Sequence, residues 1–300
     1  RLGAPEGPMT YFFENASGWT IEEVSEPGEF SDIVMQLDTQ DDIQLICYEE
    51  TDPSQLIHGF PDPDDWSYSG VVKNLNYGSL DRYYMGNGGS IFTIRESGLD
   101  GVKLGTLDDS TLDFEIIPAD EWPIVSPAVT ADSGGYTCVA TKYSGEVSCV
   151  FYTNQGSGWT QESIPDSPGH GQYSELFCTT SGDIHFVYGY DELIHKYKLS
   201  GSQEWRGYEL PYEARKTKNL QLWEDASGHI YMLIYDRPDL LLADFWNETW
   251  TFEVIDTGSG SHPGSGISSQ CMTIDDNGAL NVFYRNNSEG EMKHAIRNGG

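Results

Sequence analysis

Three hundred residues are enough to bury a sizeable core, and 48 Asp and Glu against 16 Lys and Arg leave a net charge of −32. That balance excludes the phosphate attraction on which binding to nucleic acid or anionic lipid rests, because both need clustered Lys and Arg. Tyr (18), Phe (12), Trp (8) and Gly (33) are plentiful, as suits strands and tight turns. No segment has helical periodicity, and no apolar run nears the ~18 residues of a membrane span. The acidity reads first as solubility in salty surroundings, with cation capture or a basic partner as sharper alternatives. The chain opens at Arg1 rather than Met, which points to a removed signal peptide or a piece of a longer protein, and so to an extracellular or cell-surface location.

Taken in chain order, one element keeps returning. It is Trp19–Val24, then Trp66–Val71, Leu112–Ile117, Trp159–Ile164, Trp205–Leu210 and Trp250–Ile255, in steps of 45 to 47 residues. Five of the six leads are Trp in a chain with eight Trp, so chance is a poor explanation. A second landmark runs in phase with it. A Ser/Asp/Gly turn precedes an apolar strand ending in Tyr, as in Thr180–Tyr188, Asp225–Tyr235 and Asp275–Tyr284; Gly and Asn supply the positive φ that such turns require. Each repeat parses into four short strands, which in the fourth are Tyr173–Cys178, Ile184–Tyr188, Leu193–Leu199 and Trp205–Leu210. Four antiparallel strands per 40 to 50 residues is the pattern of a propeller blade.

The expected fold is therefore all-β: one six-bladed β-propeller domain over residues 1–300. Five blades fall near 30–73, 78–118, 124–165, 172–211 and 217–256. A composite blade joins 1–25 to 266–300 and closes the ring, with Trp19–Val24 as the outer strand of the sheet holding Ser268–Thr273 and Leu280–Tyr284. Met9–Asn15 and Met292–Asn298 both resemble a third strand, and the composite blade has one such slot.

Five cysteines are too few for a disulfide scaffold. Cys138 and Cys149 fall on neighbouring strands of one hairpin, as a disulfide or as buried thiols that pack like small apolar groups. Cys47, Cys178 and Cys271 sit in apolar strand runs and read as core. Sequons at Asn15, Asn247 and Asn286 lie beside turns where a glycan would be accommodated.

The repeat resembles the degenerate sialidase-like (BNR-type) propeller repeats of secreted marine microbial proteins, over nearly the whole chain. It is more distantly similar to the six-bladed fucose-binding lectins of fungi, whose units also join an apolar strand, a polar tip and a Trp-led strand. The lectin resemblance implies sugars held between blades on Arg, Glu and Trp, but no Arg recurs here at a fixed place in the repeat. The sialidase resemblance implies three Arg gripping a carboxylate. Of the eight Arg only Arg82 lies on an expected innermost strand. The Asp turns also lie between first and second strands, where the sialidase Asp-box lies between third and fourth. The resemblance thus concerns architecture, which does not fix function.

Three sets of candidate residues follow. The once-per-repeat Trp residues read as wedges between blades, with sugar platforms as the alternative. Loops expected at the channel mouth carry Glu49, Tyr143, His170, Asp191, Asp236, Arg237, His262 and Arg285, a mixture able to hold a glycan or a cation, or simply solvated charge. On the opposite face Asp38, Asp41, Asp42, Asp132, Asp225, Asp275 and Asp276 occupy turns, where Asp bonds its own backbone without a ligand. Calcium would need several oxygens converging from one loop, and no loop has that spacing, so no cofactor is expected and calcium alone is left open. The seven His form no zinc-ligand pair, and no nucleophile elbow, phosphate loop or dinucleotide fingerprint appears. The leading expectation is an extracellular recognition or structural propeller that binds a carbohydrate or a protein partner. One alternative is a glycan-cleaving enzyme, a sialidase-like hydrolase or a lyase, whose paired carboxylates would come from different blades and leave no local motif. Another is a subunit of a cell-surface assembly or filament.

Overall fold

The computed structural model of the chain describes the backbone of strands from residue 10 onward and, with gaps, side chains between residues 104 and 298. Its strands fall into two compact units, residues 1–120 and 121–300. In the first unit, β1 (Thr10–Asn15) pairs with β2 (Gly18–Glu23). A four-stranded sheet follows from β3 (Phe30–Leu37), β4 (Ile43–Glu49), β5 (Gln55–Asp62) and β6 (Asp65–Lys73). The next contains β7 (Gly78–Gly86), β8 (Gly89–Glu96), β9 (Gly101–Asp108) and β10 (Thr111–Pro118).

The second unit opens with the sheet of β11 (Ile124–Ala131), β12 (Thr137–Tyr143), β13 (Cys149–Asn154) and β14 (Trp159–Ile164). Then come β15 (Tyr173–Cys178), β16 (Ile184–Gly189), β17 (Leu193–Lys198) and β18 (Arg206–Leu210), followed by β19 (Leu222–Glu224), β20 (Ile230–Asp236), β21 (Asp239–Trp246) and β22 (Thr249–Thr257). A three-stranded sheet of β23 (Ile267–Ile274), β24 (Leu280–Asn286) and β25 (Glu291–Arg297) ends the series. In every sheet each strand pairs antiparallel with the next in the chain, so the all-β reading and the four-stranded antiparallel unit hold.

The pairing expected between Trp19–Val24 and the last sheet is not among these. Trp19 sits opposite Glu14 in the β1–β2 hairpin, and a two-residue connection closes at far lower entropic cost than a pairing across most of the chain. Both segments that resemble a third strand are strands, β1 in that hairpin and β25 in the last sheet.

Period-2 alternation explains the stacking in the second unit. Along β20, Ile230, Met232 and Ile234 point one way, into a core layer shared with Val187, Leu193, Tyr197 and Leu210 of the preceding sheet. Tyr231, Leu233 and Tyr235 point the other way, into a layer shared with Met272, Leu280, Val282 and Tyr284. A third layer joins Cys138, Ala140, Cys149 and Phe151 to Ile184, Phe186, Tyr188 and Ile194. The second strands β16 and β20 are thus buried on both faces.

The turns before these strands are copies of one another. In 179–183, 225–229 and 275–279 the first residue's amide donates to the fifth residue's carbonyl, and the fourth residue's amide to the first carbonyl. The fourth is always Gly with φ between 77° and 88°, a left-handed conformation that side chains resist. Asp225 Oδ1 accepts from the amides of Ser227 and His229, both at 2.9 Å, and Asp275 Oδ1 from Asn277 and Ala279, both at 2.9 Å. These turn carboxylates serve the backbone.

The Cys138–Cys149 disulfide is corrected by register. Cys138 lies opposite Thr153 and Cys149 opposite Lys142, so four ladder steps separate them, beyond the ~7 Å Cα reach of a disulfide; both are buried thiols. Cys178 is half-buried, and Cys271, expected in the core, is exposed, because the inward residue of that stretch is Met272.

Two of the repeat Trp, Trp205 and Trp250, anchor one sheet to the one before it. Trp205 meets Phe151 edge-on at 5.3 Å and donates from Nε1 to Glu162 on β14 at 2.8 Å. Lys198 Nζ reaches the same carboxylate at 2.7 Å. Trp205→Ala removes both the ring contact and the bond, and is expected to cost about 3 kcal/mol in urea unfolding, the low end for a truncated Trp; exposed Trp246→Ala should cost less than about 1 kcal/mol.

Candidate functional site

Between the β15–β18 and β19–β22 sheets lies a solvent-open cleft of about 430 Å³, within the roughly 300–1,000 Å³ of small-molecule sites. Its rim comes from the β15–β16 turn (Thr179–Asp183), the β19–β20 turn (Glu224–Gly228) and the β21–β22 turn (Trp246–Glu248), and its floor from His185, Tyr197, Ile230 and Phe245. The tight glycine turns bring two hydroxyl-rich tips face to face while the apolar layer beneath fixes their separation.

Each side wall is a bridge between the sheets. On one side, Glu224 accepts from the amide of Thr180 at 2.7 Å and from its hydroxyl at 3.2 Å. On the other, Arg206 pairs with Glu248, and Tyr208 donates its hydroxyl to the Glu248 carbonyl. Asn247 and Glu248 form a left-handed two-residue turn, with φ of 49° and 57°, which lifts Trp246 to the rim. The Trp246 indole is 43% exposed and stacks flat on His229 at 4.2 Å, with 2° between the planes. His229 is held by Asp244, Nδ1 to Oδ1, at 2.9 Å. The rim therefore offers a rigid, half-open aromatic plate beside hydroxyls and carboxylates.

Two histidines lie in the apolar layer at the floor, His185 on β16 and His195 on β17, each no more than 2% exposed. Their rings lie parallel with centroids 5.2 Å apart, and His185 Nδ1 is 3.0 Å from His195 Nε2. Trp250 closes the row, its Nε1 donating to His195 Nδ1 at 3.1 Å. Tyr197 stacks beside both rings, and Phe245 meets both edge-on. Burial lowers the pKa of His185 to about 4 against an opposing pull from Asp183, and burial followed by the neighbouring His185 lowers that of His195. Both rings are neutral at pH 7.

The sign of the linkage follows. Below pH 6.5 the unfolded chain binds protons that the native pair refuses, so stability from these histidines is full above that pH. It is lost as pH falls towards 4, by on the order of 1.4 kcal/mol per pH unit for each proton. In denaturant unfolding across pH 7.5 to 4, the wild type should lose more stability than the His185→Phe/His195→Phe double variant. Parallel profiles would mean the pair is not held neutral.

Of the residues expected at the channel mouth, the described ones do not line this cleft. Asp191 is exposed in the loop after β16, Asp236 half-buried at the end of β20, and Arg285 exposed near the end of β24. All three mark the far ends of second strands, and none lines the cleft at the near ends. Glu49 and Tyr143 end β4 and β12, and their side chains, with His170, Arg237 and His262, lie outside the described residues. Of the sequon residues, the side chain of Asn15 is also outside them, and Asn247 is exposed at the cleft rim. Asn286 is fully buried, and its Nδ2, the atom a glycan would occupy, donates to Asp256 at 3.2 Å; that corrects the third sequon. Tyr284 and Lys293 give Asp256 two further bonds, each at 3.0 Å. Among the described residues no group of three or more His, Cys, Asp or Glu is placed to hold a metal, and no helix is long and apolar enough to cross a membrane.

Sequence reading passed over His185, His195 and Trp246. The available signal was polarity out of place: histidines at equal parity within apolar strands, and a Trp outside the repeat phase.

No protein-family model matches the chain, and no curated protein matches it in sequence. Solved structures do. A Dyadobacter fermentans protein of unknown function aligns over 90% of this chain and 94% of its own, with TM-score 0.58 and 10% identity. The fucose-recognising lectin of Aleuria aurantia, a six-bladed β-propeller, aligns over 90% and 97%, with TM-score 0.53 and 14% identity. The SapL1 lectin, solved with α-methyl fucoside, aligns over 85% and 90%, with TM-score 0.52 and 13% identity. TolB from Acinetobacter baumannii, at TM-score 0.51 and 11% identity, aligns over 82% of this chain and 59% of its own. Likeness at such identity is of fold: the chain has a β-propeller fold, shared by proteins of different function.

Proposed function

We propose that this protein is an extracellular carbohydrate-recognition propeller that takes a sugar in the cleft between the β15–β18 and β19–β22 sheets. The observation that carries the reading is the exposed Trp246 plate beside a hydroxyl- and carboxylate-lined hollow of about 430 Å³. A pyranose has an apolar C–H face that stacks on an indole and a rim of hydroxyls that needs polar partners, the pairing an amphipathic aromatic site provides. Glu248 and Trp246 both line this inter-sheet cleft, and Arg206 pairs with Glu248. The two fucose lectins of like fold support the same reading.

The test is a glycan array followed by tryptophan-fluorescence titration of the best binder. Trp246→Ala is expected to lose at least about tenfold in affinity, some 1.4 kcal/mol, with its melting temperature nearly unchanged. Absence of any bound glycan, or equal binding by Trp246→Ala, would remove the reading. Release of reducing sugar in step with protein concentration would favour the glycan-cleaving alternative.

The blade number belongs to the same proposal. Six in-phase repeat leads support six blades in one domain over 1–300. Deleting residues 1–25 is then expected to lower the melting temperature of the whole chain, since an incomplete blade exposes core; an unchanged melting curve would refute it.

A further inference from the structure

Hydrogen-bond direction at the floor of the cleft is fixed from one end. Trp250 Nε1 can only donate, so His195 Nδ1, 3.1 Å away, must hold a lone pair. A neutral imidazole has one donor and one acceptor nitrogen, which puts the His195 proton on Nε2. That N–H points at His185 Nδ1, 3.0 Å away, which must accept. The proton of His185 is therefore on its own Nε2. A second proton on either ring would set two N–H groups against each other at one of these contacts, so charge is excluded by geometry as well as by burial.

The row ends in the cleft. His185 lines it, and the hydrogen bond its ring makes to a described residue is at Nδ1, which leaves Nε2 available at the cleft although the residue is only 2% exposed. Tyr197 stacked at 5.8 Å and Phe245 edge-on at 5.6 Å keep the ring from turning. The ring borders a hollow rimmed by Asp183, Glu224 and Glu248, where a ligand oxygen can take up the N–H. Those carboxylates disfavour an anionic ligand.

From these observations we infer that His185 is a specificity-determining contact: its Nε2–H is a fixed, uncharged donor awaiting one acceptor oxygen, a hydroxyl or ring oxygen, of a neutral sugar whose C–H face lies on Trp246. Trp250 and His195 are positioning residues that set the tautomer. The inference rests on the carbohydrate reading above and adds the group that selects the ligand's orientation. A sugar with a methyl or hydrogen at the facing position leaves the N–H unpaired and is rejected more strongly than one with a surplus hydroxyl at the open rim.

Two measurements test it. Long-range ¹H–¹⁵N correlation on histidine-labelled wild-type protein at neutral pH should show His185 and His195 as Nε2–H tautomers, with the His185 Nε2 signal moving on addition of ligand. A proton on His185 Nδ1, or a charged ring, would overturn the inference whatever binds. The probes are α-methyl fucoside and the methyl glycosides of galactose, mannose and glucose. For the tightest of these, His185→Phe should weaken binding on the order of tenfold, and His185→Gln, which keeps a side-chain N–H, should stay within about threefold of wild type. Trp250→Phe should mix the tautomers in the spectrum and weaken binding by an intermediate factor. If Trp246→Ala abolishes binding while His185→Phe keeps wild-type affinity, the cleft is a sugar site and this inference alone fails. If no glycoside binds the wild type, the carbohydrate reading falls and takes the ligand role of His185 with it.

Discussion

A strand with apolar side chains on both faces cannot bury either by itself, and that constraint organises this protein. β16 and β20 each present large residues alternately to two sides. Every sheet of the second unit must therefore lie against a neighbour, and the three core layers are the result. Layers of this kind are not directional, so polar anchors set the spacing: Glu162 between one pair of sheets, His195 and Glu248 between the next, Asp256 between the last. Each anchor is a carboxylate, carbonyl or imidazole acceptor met by a donor from the adjoining sheet, which satisfies groups that would otherwise be costly at the edge of a core.

The cleft is a by-product of the same stacking. Where two sheets meet, their turns stand apart by the thickness of the layer between them, and whatever lines those turns faces a hollow. Most of the turn chemistry is spent locally, as Asp225 and Asp275 show by capping their own amides. What is left to face outward at the β15–β18 and β19–β22 junction is a Trp lifted by a left-handed turn and His185 in place of an aliphatic residue. His185 and His195 occupy positions whose neighbours on the same face are Val187, Leu193 and Tyr197. Two imidazoles in such a layer are tolerable because each hydrogen-bonds the next and Trp250 completes the row.

Much was legible in the order of residues. Strand type, the four-strand unit and the wedge role of the repeat Trp follow from alternation and period, which are local properties of the chain. Trp205 behaves as such a wedge, and the Asp turns as backbone caps. The cleft was not legible, because charge in a loop of so acidic a chain carries little information. Asp191, Asp236 and Arg285 lie at the opposite ends of their strands from the cleft. The cysteine pairing failed for a related reason: a hairpin turn places two strands side by side but does not set their register, and four ladder steps separate Cys138 from Cys149. Burial of Asn286 was likewise invisible, since a sequon motif says nothing of which way the Asn points.

The sequence by itself determined the secondary structure and the repeating unit, because the period-2 pattern and the glycine turns act within a few residues and need no partner. Tertiary structure alone decided which polar groups converge. Thr180 meets Glu224 across 44 positions, Arg206 meets Glu248 across 42, and Trp250 meets His195 across 55. Separations of about one repeat bring equivalent strands of adjacent sheets together, so a contact that looks remote in the chain is a nearest neighbour in the stack. The hydrogen-bond direction that fixes the His185 proton exists only once three such strands are packed, since no one of the three residues can set it alone.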